Sequence, residues 1–310
     1  MVIIEVTGGL GNQLQQYAIY RKFVMMGVEA RLDVSWFDEA QMALSDKAKG
    51  TSGIPVVTKR QLELRKFDRI LFEACNEEDK RRLVGADGIE GMLRRKLLPF
   101  TIRRFRETEM YHPEIFTFED MYISGYFACE KYFADIMYDL RSKIQFPPSS
   151  DIRNHELAME MRWCNSVSVH VRRGDYLKPE NAEMFGNICT DAYYETAIEF
   201  MKEKVENAHF YIFSDDVDYV REKYVGEEYS IVDLNHGKDS FYDMWLMMNC
   251  NHNICANSTF SFWGARLGKY GDKIKIRPTI HKNSQVFVKE EMEELWAGWK
   301  FVSPTGELYG

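Results

Sequence analysis

The chain has no surplus of positive charge. Its 40 Lys and Arg are outnumbered by 48 Asp and Glu, for a formal net charge of -8. It therefore lacks the cation excess from which proteins that grip nucleic-acid backbones draw their affinity, and any anion it binds must be met by a local cluster. Long hydrophobic runs are absent at the start as well. The opening Val2-Ile3-Ile4 run is too short for a secretory segment or a membrane span and leads straight into glycines, which points to a cytoplasmic protein. The six cysteines, Cys75, Cys129, Cys164, Cys189, Cys250 and Cys255, are scattered. They have neither the density of a disulfide scaffold nor the paired spacing of a zinc site, so reduced thiols are expected. No Gly-x4-Gly-Lys-Ser/Thr loop and no Gly-x-Ser-x-Gly elbow occur, which removes support for P-loop and α/β-hydrolase chemistry.

What is present is ordinary globular composition, 45% hydrophobic and 28% charged, with an aromatic share of 14%. Rings on that scale suit cores first and sugar-stacking clefts second. Val2 to Val6 reads as a strand, Thr7 to Asn12 as a glycine-rich break, and Leu14, Tyr17, Ala18, Val24 and Met25 as one face of a helix. Asn12 stands where a cap could, Gly27 where the helix would stop, and Val28 to Val34 reads as a second strand. Such a β-loop-α-β opening belongs to an open α/β sheet, whose ligands gather at the carboxyl ends of the strands.

The stretch from Trp36 to Tyr111 is mixed and charged. Its basic segment Arg94–Arg106 reads as a solvated face or as a surface for peripheral membrane contact with anionic head groups. Pro147-Pro148-Ser149-Ser150 is the best linker, which sets domains of 1–148 and 149–280 with a tail, 281–310. The tail either packs back on the first domain or holds Trp296 and Trp299 as local core. Strands and helices alternate again through the second domain, which predicts a second parallel sheet.

Four segments carry chemistry. In the loop Gly8 to Gln13, glycines between strand and helix let backbone N–H groups approach an anion. It departs from the dinucleotide fingerprint at Leu14, although Asp33 stands at a tempting distance for a ribose contact. His170-Val171-Arg172-Arg173-Gly174-Asp175-Tyr176 ends a strand in two guanidinium groups suited to phosphate oxygens, with Asp175 to aim one of them. A plain edge salt bridge is the structural alternative. Ser214-Asp215-Asp216-Val217-Asp218 ends another strand, and either clamps a base or ribose or holds a divalent metal through Asp216-x-Asp218. Asn257-Ser258-Thr259-Phe260 leads into a helix, as a phosphate cradle or as simple capping.

The strings GGLGNQLQQYA, SGYFACEKYF, HVRRGDY, FSDD and CNHNICANSTFSFWGARL occur in order and resemble the motif set of the bacterial α1,2-fucosyltransferases. The resemblance implies an α/β GT-B-like fold, two Rossmann-like domains facing a cleft, with the acceptor on the N-terminal side. It implies GDP-β-L-fucose as donor, no metal or other cofactor, and transfer with inversion to the 2-hydroxyl of a terminal galactose on an oligosaccharide or glycolipid. Arg172 would hold the diphosphate with support from Arg173 and Asp175. His170 and Asp215 would meet the guanine or its ribose, Asn257, Ser258, Thr259 and Phe260 would close over phosphates and fucose, and Asn12 would face the donor. Asp175, Glu180 and Asp191 are the candidates for a general base. An α1,6-type fucosyltransferase and a non-catalytic GDP- or glycan-binding module are the alternatives.

Overall fold

The computed structural model describes residues 1–38, 61–85, 96–97, 102–108, 111–269 and 271–310, without the side chains of Asp175 and Glu180. Within the basic segment Arg94–Arg106 considered for membrane contact, positions 94–95 and 98–101 lie outside the described residues. The chain divides into two compact units, Met1–Pro147 and Pro148–Gly310. No helix among the described residues is long and apolar enough to cross a membrane.

In the first unit β1 (Val2–Glu5), β2 (Ala30–Asp33), β3 (Arg104–Arg106) and β4 (Met121–Ser124) form a parallel sheet in the order β2-β1-β4-β3. The helix Leu10–Met25 follows β1, and its N-cap is Gly9, without a side-chain bond. Asn12 therefore lies in the first turn of the helix and is not its cap. Gly8, at φ +80°, makes the abrupt turn that starts the helix early. The suggested ribose ligand Asp33 is spoken for. Its carboxylate accepts the Tyr122 hydroxyl at 2.8 Å and the Ser35 N–H at 3.0 Å, and pairs with Lys80 at 2.9 Å. It is a buried structural group, which disposes of the dinucleotide reading at that position.

In the second unit β5 (Ser166–Val171), β6 (His209–Ser214), β7 (Tyr229–Val232), β8 (His252–Ile254), β9 (Lys275–Pro278), β10 (Lys300–Val302) and β11 (Leu308–Tyr309) run in the order β11-β10-β9-β8-β5-β6-β7. All neighbours are parallel except β10 and β11. Central β5 alternates Ser, Val and His, yet every residue in it is buried. Val167, Val169 and Val171, each contributing about 1.5–3 kcal/mol, enter the core with Tyr193, Ala197 and Met201 of the helix Asp191–Lys204. Two of the polar side chains on the other face bond internally: the Ser166 hydroxyl donates to the Met161 carbonyl, and Asn253 donates to the Ser168 hydroxyl.

The chain visits β6 and β7 on one side of β5 and β8, β9 and β10 on the other, so the strand order reverses between β5 and β8. Loops at such a reversal form the binding crevice of an open α/β sheet. The tail supplies β10 and β11 to this sheet, and the unit runs to residue 310, beyond the boundary at 280 expected from sequence. Trp296 and Trp299 pack edge-on against Phe262, at 5.0 and 5.8 Å between ring centres.

Candidate functional site

β5 and β6 pair with Val171 opposite Ser214, so the residues that follow each strand also meet. Arg172 Nη1 lies 2.9 Å from Asp215 Oδ2, and Arg173 Nε lies 3.0 Å from Asp216 Oδ2. Asp215 Oδ1 accepts the backbone N–H of Arg173 at 2.9 Å and that of Gly174 at 3.1 Å. A Cβ on Gly174 would stand 2.6 Å from Asp215 Oδ2, so only glycine admits the carboxylate this close. Asp215 thus aims Arg172; the side chain of Asp175, to which proximity in sequence gave that role, lies outside what the structure describes. Asp175 itself starts the short helical turn Asp175–Leu177.

Aromatic faces hold the two guanidinium groups from the other side. Arg172 lies 5.5 Å from the Tyr176 ring centre and Arg173 3.6 Å from that of Tyr219, within cation–π range. Asp216 also caps the helix Val217–Lys223 by accepting the Tyr219 N–H. Asp218 is almost fully exposed. Asp191 accepts the Tyr219 hydroxyl at 3.0 Å and pairs with Lys223, which holds its carboxyl below the usual range and leaves it a weak base.

His170 is buried in β5, and its Nδ1 has no hydrogen-bond partner. Burial, aided by the charge of Arg172 and opposed by Asp215, brings its pKa down to about 4, so the ring is neutral at pH 7. It lies 6.0 Å from the Phe260 ring. The Asn257 side chain is committed: its Nδ2 donates to the carbonyls of Phe185 at 3.2 Å and His281 at 3.1 Å. The Tyr176 hydroxyl donates to the Asn257 carbonyl at 3.0 Å, tying the loop after β5 to the loop after β8. Asn257 therefore acts as a brace that fixes Ser258, Thr259 and Phe260 at the start of the helix Thr259–Leu267. Ser258 is its N-cap but makes no side-chain capping bond.

A cavity of about 370 Å³ opens beside this cluster, lined by Arg172, Arg173, Tyr176 and Asn257 on one side. Phe185, Asn187, Thr190, Asp191 and Tyr194 supply much of the rest, and sequence reasoning passed over nearly all of them. Their one signal was the breaker pair Gly186-Asn187 between two helical stretches. Asn187 does adopt a left-handed φ of 57°. Of the expected site residues, Arg172, Arg173, Asp215 and Asn257 are brought together at this edge, with His170 in the strand behind them. Asn12 belongs to the other unit.

Residues 89–302 match glycosyl transferase family 11. The chain is 31% identical to the alpha-1,2-colitosyltransferase of Escherichia coli over 285 residues, 90% of this chain and 91% of that protein. It is 32% identical to galactoside alpha-(1,2)-fucosyltransferase 1 of Ateles belzebuth over 112 residues, 36% of this chain and 30% of the relative. The solved structure of the alpha-1,6-fucosyltransferase NodZ, soaked with GDP-fucose, aligns with 86% of this chain and 92% of its own, at 15% identity and a TM-score of 0.42.

Proposed function

The chain belongs to glycosyl transferase family 11, and we propose that it transfers L-fucose from GDP-β-L-fucose to the 2-hydroxyl of a terminal galactose, inverting the anomeric centre. The observation that carries this reading is Arg172, which leaves the central strand at the strand-order reversal, is aimed by Asp215 and lines the cavity. The α1,2 linkage draws support from the two relatives named for it.

In this reading Arg172 and Arg173 hold the donor diphosphate. Charge builds on that diphosphate as its bond to the sugar breaks, and a guanidinium already in place stabilises it without reorganising. Neutral His170 offers a ring nitrogen to the nucleoside, and Ser258, Thr259 and Phe260 close on the phosphates and fucose from the helix start. The acceptor is assigned to the first unit, the unit that carries Asn12. No metal is needed, because the arginines supply the positive charge and Asp216 is engaged by Arg173.

The test is GDP release from GDP-fucose over a panel of galactosides. Arg172→Ala should lower turnover by about 10³-fold with the fold intact. Substantial residual transfer would remove Arg172 from its role, and loss of wild-type activity in EDTA would restore a metal at Asp216. Transfer to chitobiose in place of lactose would favour an α1,6-type enzyme, and donor binding without turnover a binding module. A second reading has the donor carry colitose, since the relative that spans 90% of the chain is named for that sugar. The same assay with a colitose donor separates the two.

A further inference from the structure

The first sheet has its own reversal of strand order, between β1 and β4, and the loops that follow those strands are bound together. Gln16 Nε2 donates to the Gly125 carbonyl while its Oε1 accepts the Thr7 N–H, both at 3.0 Å. Glu107 follows β3 on the far side of β4. Its Oε2 accepts the Tyr126 N–H at 3.1 Å, and the Phe127 N–H and the Tyr132 hydroxyl also bond its carboxyl. These partners are neutral groups. Burial, working against their hydrogen bonds, pushes the carboxyl up to about 7.

The approach is close: a Cβ on Gly125 would stand 2.4 Å from the Glu107 Cβ. Two residues on, Phe127 is held at φ 48°, a left-handed conformation that costs a bulky residue about 1–3 kcal/mol and persists only where its surroundings dictate it. The two neighbouring rings end in different surroundings. Phe127 is fully buried, whereas Tyr126 is 57% exposed just beyond the carboxyl end of β4. A tyrosine ring offers a flat apolar face and a polar tip, which matches a hexopyranose with its C–H face and its hydroxyl rim.

We propose that Tyr126 is the platform on which the terminal hexose of the acceptor lies, and that Glu107 is the positioning residue that fixes it. The inference rests on the transferase reading above and adds to it the place where the acceptor is recognised.

The test uses the full chain with lactose as acceptor. Tyr126→Ala should raise the lactose KM about tenfold or more while leaving GDP-fucose KM and acceptor-free donor hydrolysis unchanged, and Tyr126→Phe, which keeps the flat face and loses the polar tip, should raise it by a smaller factor. Glu107→Ala should raise the lactose KM without adding to the effect of Tyr126→Ala. Glu107→Gln, which keeps an oxygen for the Tyr126 N–H, should recover most of the loss; melting curves confirm that each variant is folded. A lactose KM unchanged in Tyr126→Ala, or a Glu107→Ala effect confined to kcat, overturns the proposal. Lactose binding followed by saturation-transfer NMR separates this proposal from the transferase reading. If the wild type transfers to no galactoside, that reading fails, whereas the platform stands if Tyr126→Ala abolishes binding and falls if lactose binds both proteins equally or neither.

Discussion

Arg172 could be found from the sequence because an apolar strand ending in guanidinium groups is conspicuous in an acidic chain. Its partner could not. Asp215 lies 43 positions further on, and only the pairing of Val171 with Ser214 brings it to the arginine, so proximity in sequence pointed to Asp175. Asn257 was legible as part of the site but not in its task, because the carbonyls of Phe185 and His281 that occupy its amide come from distant segments. Asp215 holds Arg172 and two backbone N–H groups at once, so Asp215→Ala should displace the guanidinium. A misplacement of about 1 Å costs about 100-fold in rate. The expected outcome is a fall in kcat of about 10- to 100-fold in the GDP-release assay, with an unchanged circular-dichroism spectrum.

At the scale of elements the second unit was the easier to read. Its strands and helices follow one another at regular spacing, so the strands read from the sequence at His209 to Phe213 and Tyr229 to Asp233 nearly coincide with β6 and β7. The first unit hid β3, an Arg-Phe-Arg edge strand of three residues with its arginines exposed, which has neither length nor an apolar face to mark it. The opening motif was legible only in part. Its glycines set the turn, but Gln13, Gln15 and Gln16 are all buried, and they stitch loops together through the Gly8, Gln61, Ala128 and Gly125 carbonyls. Long-range hydrogen bonds of that kind leave no periodicity in the sequence. The turn after β5 depends on one missing methyl group. Gly174→Ala would push the Asp215 carboxylate away and should reproduce most of the Asp215→Ala defect, and kinetics of the double variant close to those of either single one would show that both act through the same contact.

Across the whole molecule the two units have separate cores and separate sheets, and their stabilities respond to pH through different groups. In the second unit burial holds His170 near pKa 4 and His281, next to Arg277, near 3. Stability from these rings is present above the unfolded value of about 6.5 and is lost as pH falls below it. Asp243 works in the opposite direction. Burial raises its carboxyl to about 7 despite the bond from Asn235, so its contribution is complete below about pH 4 and is lost as pH rises towards 7. Asp243→Asn should therefore steepen the rise of stability between pH 5 and 6.5 by up to about 1.4 kcal/mol per pH unit, the value of one proton. Urea unfolding followed by tryptophan fluorescence would measure it, since five of the six tryptophans (Trp163, Trp245, Trp263, Trp296 and Trp299) lie in this unit.

The pairing of Arg172 and Arg173 with Asp215 and Asp216 bears on rejection as well as on binding. The aspartates are incumbents: a small anion that displaces one carboxylate exchanges one partner for another and gains little. In the transferase reading proposed above, a donor with two linked phosphates would compete for both arginines in a single encounter, so the acidic neighbours would disfavour chloride and inorganic phosphate against it.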